Sequence, residues 1–138
     1  MNTILIYALC WFGMAVIGIG NGIVRQYVYG PFMRELAAHQ VSTLTGIVVM
    51  GFYVWWLTGL RRLASTRQAL VVGALWLVMT AAFEFGFGHY VVGHPWTKLI
   101  HDYNIAEGRV WVLVLLWITM APWVFYRMRS KVKPRQVQ

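Results

Sequence analysis

The residues able to do acid–base chemistry are concentrated in one stretch of the chain, residues 84–111. The whole sequence has only four acidic residues and four histidines. This stretch contains three of each, namely Glu84, Asp102, Glu107, His89, His94 and His101. Carboxyl and imidazole groups are the usual general acids and bases of enzymes. The stretch is therefore the first candidate for a catalytic or binding site.

The rest of the chain is strongly apolar. It is 59% hydrophobic and 12% charged, whereas about a quarter of the residues in a soluble domain are charged. Four apolar runs approach the roughly 20 residues that cross a bilayer, at 4–24, 41–60, 69–87 and 110–126. They lack the polar faces of soluble helices and the alternation of membrane β-strands. Residues 1–138 are therefore predicted to form one transmembrane domain, an all-α integral membrane protein with four transmembrane helices.

The distribution of basic residues predicts how the spans are oriented. The net charge is +8. Three arginines lie in the loop at 61–67, and five basic residues lie in the tail at 127–138. Because cytoplasmic loops are enriched in Lys and Arg, we predict a cytoplasmic (inner) membrane protein with both termini inside. The tail is interpreted as a topology signal with affinity for anionic lipid, and nucleic acid is not a predicted partner.

The two halves of the sequence resemble each other. YVYGPFMR at 27–34 aligns with YVVGHPWTK at 90–98 after one inserted residue, and Asn21 then aligns with Glu84. The similarity predicts two tandem helical hairpins, residues 1–62 and 63–126. A pseudo-twofold axis along the membrane normal would relate them. Since proline suits the first turn of a helix, each outer loop is predicted to fold into a helix that leads into the next span.

Glu84 is the central residue of the predicted site. Counted from Arg67 at about 1.5 Å per residue, it lies roughly 25 Å into a core of about 30 Å. A carboxylate there must pair with a cation or stay protonated, and we predict Arg109 as its first partner and Arg25 as its second. One interpretation makes Glu84 a structural partner within the bundle. The other makes it functional, as intramembrane carboxyl groups often are.

The leading hypothesis is an outward-facing polar pocket that binds a lipid-like or amphiphilic substrate at the outer leaflet and modifies it by acid–base chemistry. Glu84 and a histidine, either His39 or His89, would transfer protons, and Asp102 would orient the histidine. Arg25 and Arg109 would hold an anionic headgroup. The predicted substrate-binding residues are Asn21, Arg25, Gln40, Tyr103, Asn104, Glu107 and Arg109.

Two other functions stay open at this point. The chain could be a non-catalytic accessory subunit of a larger membrane complex, or a transporter or channel that forms on oligomerisation. Against transport, the inner halves of the spans offer no carboxyl or imidazole to continue a proton relay. The predicted partners are membrane lipids, with a larger membrane protein or further copies of the chain as alternatives.

The sequence predicts no metal site, and it leaves the cofactor unassigned. The histidines at 89, 94 and 101 are five and seven residues apart, whereas neighbours on a helix face are three or four apart. No HExxH pattern occurs, and the chain has a single cysteine. A haem between helices would require His39 and His89 to face each other.

Overall fold

The structure is a computed structural model that describes residues 2–101, 106 and 111–131. Its helices are α1 (Thr3–Val24), α2 (Glu35–Leu60), α3 (Thr66–Tyr90), α4 (Trp96–His101) and α5 (Val112–Lys131). A π-helical turn over Arg25–Tyr29 and a 3-10 turn over Gly30–Phe32 extend α1. The described part of the chain is all-helical, as the sequence predicts.

Four of these helices are long and apolar enough to cross a membrane: α1 with its extension, α2, α3 and α5. Large apolar side chains such as Phe12, Val16, Leu44 and Val78 point away from the bundle and are more than half exposed. Helices that are apolar all round suit a lipid environment rather than water. Among the described residues, the number of helices able to cross a membrane is four, as predicted, and they suggest a multi-pass membrane protein.

Local polar contacts decide where the helices begin. The Asn2 side chain accepts a hydrogen bond from the Ile4 amide at 3.0 Å and caps α1. Ser65 accepts one from the Gln68 amide at 3.1 Å, while Gln68 accepts one from the Ala64 amide at 2.7 Å. This reciprocal arrangement resembles a capping box. It explains why α3 begins at Thr66, before the apolar run at 69–87.

The two connections at the far end of the hairpins differ in structure. After Pro31, α2 begins at Glu35 and is continuous with its span, so this helix is longer than the apolar run at 41–60. After α3, the chain turns at Gly93, whose φ of +82° suits a residue without a side chain. Pro95 then precedes α4, which confirms the predicted helix over the described residues of that loop.

The four spans pack in the order α1, α2, α5, α3 around the bundle. The main contacts join α1 to α2 and α3, and α5 to α2 and α3. The helices that the predicted duplication makes equivalent, α1 with α3 and α2 with α5, are therefore neighbours. A twofold axis along the membrane normal would place equivalent helices on opposite sides of the bundle. This packing accordingly does not show the predicted axis, and it leaves the sequence similarity untested.

The tightest packing lies toward the end of the bundle that holds residues 61–65 and the last turn of α5, called here the linker end. Tyr7, Val54, Trp76 and Ile118 are almost completely buried in this half. A Cβ atom added at Gly73 would collide with the backbone carbonyl of Thr119. Small residues allow such close approach between membrane helices. The opposite end, which holds residues 25–34 and 91–101, is called the loop end.

Candidate functional site

A cavity of about 280 Å³ lies at the loop end of the bundle and is called here the polar cavity. It is bounded by the end of α1, the start of α2, the end of α3, the turn before α4, and Trp111 just before α5. Five polar or charged side chains line it, namely Arg25, His39, Ser42, Glu84 and His94. Residues far apart in the sequence therefore meet around one space.

Glu84 lies on α3 and lines the polar cavity with a half-buried carboxyl group. The Trp111 Nε1–H donates a hydrogen bond to Glu84 Oε1 at 2.7 Å. Sequence analysis missed this partner because Trp111 was counted among the apolar residues of the fourth span. An indole N–H usually finds an acceptor when it is buried. The carboxyl group of Glu84, near the end of its own span, was an acceptor that the sequence already offered for Trp111. The pairing of Glu84 with Arg109 stays a prediction, since Arg109 lies outside the described residues.

Asn21 joins α1 to α2 and is not part of the polar cavity lining. Its Nδ2 donates to the backbone carbonyl of Ser42 at 2.8 Å and to Ser42 Oγ at 3.1 Å. Gly46 gives the amide room, because a Cβ there would lie 3.2 Å from Asn21 Nδ2. Asn21 thus holds two spans together, while Ser42 lines the cavity. Arg25 follows one turn later on the same helix, as the first residue of the π-helical turn.

His39 was predicted as an acid–base residue and Gln40 as a substrate-binding residue, and only His39 lines the polar cavity. His39 is only 5% exposed and lines the polar cavity from α2. The Thr43 hydroxyl donates to the His39 carbonyl at 2.9 Å. Gln40 is exposed and is not part of the cavity lining. Successive residues on a helix point about 100° apart, so only one of the two can face the cavity.

His89 holds the turn at Gly93 against α3 and does not line the polar cavity. Its ring stacks on Trp96, with centroids 3.9 Å apart and planes at 15°. Its Nδ1–H donates to the His94 carbonyl at 2.9 Å. His94 lies at the cavity instead, and its Nε2 accepts a hydrogen bond from Lys98 Nζ at 3.3 Å. Of the two histidines predicted as alternatives, His39 is the one that faces Glu84's cavity.

Five predicted site residues lie outside the described residues, namely Asp102, Tyr103, Asn104, Glu107 and Arg109. Their roles in orienting a histidine or holding a substrate stay predictions. Within residues 2–101, 106 and 111–131, no group of three or more His, Cys, Asp or Glu side chains is arranged to hold a metal ion.

A second cavity of about 200 Å³ continues from the polar cavity toward the linker end and is called here the apolar chamber. The two spaces share the lining residues Gly18, Phe83, Glu84, Phe87 and Trp111. The remaining lining comes from all four spans and consists of Trp11, Met14, Ala15, Ile19, Met50, Thr80, Val114 and Ile118. A polar space and an apolar one therefore adjoin at the level of Glu84.

Comparison with known proteins found no matching family model, no similar curated protein and no similar solved structure.

Proposed function

We propose that the polar cavity and the apolar chamber together bind one amphiphilic molecule at the membrane surface. The observation that carries this proposal is the set of lining residues that the two spaces share at Glu84. The headgroup would lie among Arg25, His39, Ser42 and Glu84, and the apolar chain would lie in the chamber. Arg25 could donate paired hydrogen bonds to an anionic headgroup, together with Arg109 as predicted from the sequence.

The polar cavity and the apolar chamber would contribute differently to the free energy of ligand binding. An apolar chain that moves from lipid into the chamber gains little, because lipid tails are as apolar as the chamber wall. Charge-assisted hydrogen bonds to the headgroup contribute more, about 1.5–3 kcal/mol each. The polar cavity would therefore supply most of the affinity. The chamber would select ligands by the shape of the chain.

The same cavity supports acid–base chemistry on the bound headgroup. Histidine is the side chain that most readily changes charge near neutral pH, and His39 and Glu84 both line the cavity. In a hydrolysis, one of them would accept a proton from a water molecule as the water oxygen bonds to a phosphorus or carbonyl carbon of the headgroup, and the other would give a proton to the oxygen whose bond to that atom breaks. In this proposal Asn21 keeps α1 and α2 in position through Ser42.

A pair of glycine substitutions on α1 tests ligand binding. Gly18 borders both spaces, and a Cβ added there meets only Met50 Cε at an ordinary 3.6 Å. Gly20 is exposed and has no atom within 4 Å of the added Cβ. We expect Gly18→Leu to block cross-linking of a photoreactive lysophospholipid to the Met14 region, and Gly20→Leu to leave it unchanged. Equal cross-linking in both variants would contradict the proposal.

Catalysis and an accessory role are separated by a second set of variants. If the site is catalytic, Glu84→Gln and His39→Gln should each abolish turnover of the bound amphiphile. The amount of each variant protein in the membrane should stay the same as that of the wild-type protein. If the chain only docks a partner, Trp96→Ala and Lys98→Ala should be more damaging, because both side chains are exposed at the loop end. Full activity of Glu84→Gln and His39→Gln together would exclude the catalytic part of the proposal.

We further propose the cytoplasmic membrane as the location, with both termini inside and the polar cavity facing outward. The excess of Lys and Arg at residues 61–67 and 127–138 supports this orientation. A reporter enzyme that is active only outside the cytoplasm should be silent when fused after Gln138. Strong reporter activity would reverse the orientation and place the cavity on the inner side.

The duplication of the hairpin is retained as a proposal about the origin of the sequence. Asn21 and Glu84 are aligned in the two halves, and each contacts a residue at the start of the following span, Ser42 or Trp111. An experimental structure in lipid should allow residues 1–62 to superpose on 63–126. Hairpins that cross at clearly different angles would argue against a common origin.

A further inference from the structure

The apolar chamber ends at a hydrogen-bonded pair of side chains. The Trp11 Nε1–H donates to Thr80 Oγ1 at 2.9 Å and joins α1 to α3 across the chamber. Trp11 is 7% exposed, and Phe83 packs edge-on against its ring with centroids 5.6 Å apart. Ile118 lines the same level from α5. These contacts hold the indole in one orientation.

The position of this pair limits the depth of the chamber. Gly18 borders both spaces, and Trp11 lies seven residues earlier on α1, which is about 10 Å at 1.5 Å per residue. Trp111 and Ile118 are separated by the same number of residues along the fourth span. One leaflet of the hydrocarbon core is about 15 Å thick. A straight chain as long as a leaflet would therefore meet the indole before it was fully inside.

The side chains along the sides of the apolar chamber can move more easily than those at its end. Met14 and Met50 line the sides, and methionine side chains adapt easily to irregular shapes. Moving Trp11 would break its hydrogen bond to Thr80 in an apolar environment, where an unpaired N–H is costly. The chamber can thus adjust to the width of a ligand more readily than to its length.

We infer that Trp11 and Thr80 form the floor of the ligand site and set an upper limit on the length of the ligand's apolar chain. The inference rests on the proposed function, and it names the ligand class as single-chain amphiphiles shorter than one leaflet. A competing arrangement would let a long chain leave sideways between α1 and α3, past the exposed side chains of Ile19 and Phe87.

The test measures binding of hexyl, decyl and tetradecyl phosphate to the full-length protein in lipid nanodiscs by native mass spectrometry. We expect the wild-type protein to bind tetradecyl phosphate at least about tenfold more weakly than hexyl phosphate, which is about 1.4 kcal/mol. Trp11→Ala should remove most of this difference, because it opens the floor. Trp56→Ala, the same substitution at an exposed position of α2, should leave the difference unchanged.

A second variant keeps the test decisive if Trp11→Ala does not fold. Ala15 lines the chamber between Trp11 and Gly18, so Ala15→Leu should shorten it and weaken decyl phosphate binding at least about tenfold more than hexyl phosphate binding. If all three phosphates bind equally to wild type and variants, the floor is refuted while ligand binding stands. If none of them binds to the wild-type protein, the proposed function fails for anionic headgroups, and the inference fails with it.

Discussion

The two ends of the bundle use polar side chains in opposite ways. At the linker end, the Tyr7 hydroxyl donates to the Arg61 carbonyl at 2.5 Å, and the Trp76 Nε1–H donates to the Tyr7 carbonyl at 2.7 Å. At the loop end, His39 and Glu84 line an open space of about 280 Å³. A polar residue in a membrane span is therefore not a functional signal by itself. The informative feature is whether its side chain is directed at backbone or at a cavity.

Arg129 makes the same point for a charged residue. From the sequence it was interpreted only as a signal for orientation. In the structure its Nε donates to Thr58 Oγ1 at 3.1 Å, one terminal nitrogen donates to the Trp55 carbonyl at 2.6 Å, and the guanidinium lies 5.3 Å from the Trp55 ring centroid. A cation suits the C-terminal end of a helix, where the helix dipole is negative. Arg129 therefore also stabilises the end of α2.

The largest effect on stability is expected from Gly73→Ala at the linker end. The added Cβ would collide with the Thr119 carbonyl, and overpacking of this kind costs about 1–3 kcal/mol or more. Relief requires α3 and α5 to move apart, so we expect a loss near the upper end of that range. The measurement is reversible unfolding in detergent. Gly20→Ala, where the Cβ enters open space, should change stability by less than about 0.5 kcal/mol.

Arg129→Leu should have the next largest effect, a loss of about 2 kcal/mol, because hydrogen bonds to charged groups contribute about 1.5–3 kcal/mol. Arg127→Leu is the matched control, since Arg127 is exposed and lies 5.8 Å from the Trp123 ring centroid. Unfolding curves of the two variants should be compared under identical conditions. Equal losses of stability would mean that the loss of a positive charge is responsible, rather than the loss of the Arg129 hydrogen bonds to Thr58 and Trp55.

Tyr7→Phe should produce a smaller loss at the same end. The substitution keeps the buried ring and removes only the hydroxyl that bonds to the Arg61 carbonyl. Hydrogen bonds between membrane helices contribute about 0.6 kcal/mol on average and up to about 1.7 kcal/mol, so a loss in this range is expected. Ligand binding at the loop end should be unaffected. A change in alkyl phosphate binding would show that the two ends are coupled.

Glu84→Gln should have the smallest effect on stability and the largest on turnover of the bound ligand. The amide keeps an oxygen that can accept from Trp111, so the free energy of unfolding should change by less than about 0.5 kcal/mol. Turnover should be lost with the carboxyl group, because Glu84 is one of the two proposed acid–base residues, whereas Arg25 should still bind an anionic headgroup. A loss of stability as large as that of Arg129→Leu would make Glu84 a structural residue, and the contrast between the two ends would no longer hold.

Composition was enough to predict the four spans, because a helix in lipid must be apolar on its outside and must satisfy its backbone internally. It could not predict how the spans pack. When a helix is apolar all round, its sequence does not show which side packs against other helices. The sequence therefore did not predict that α1 and α3 are neighbours. The sequence also left open which histidine, His39 or His89, lines the cavity with Glu84. The answer depends on the turn at Gly93 and on the stacking of Trp96 against His89. The role of Trp111 was hidden because an indole counts as apolar.

The position of α5 has a consequence for how the protein is made. This helix is synthesised after α1, α2 and α3, yet it packs against both α2 and α3. Until it leaves the ribosome, the faces of α2 and α3 that it later covers are in contact with lipid, and Trp111 has not reached Glu84. Truncated chains that lack α5 would present the same surfaces permanently. Membrane quality control can therefore distinguish bundles in which α5 has docked from bundles in which it has not.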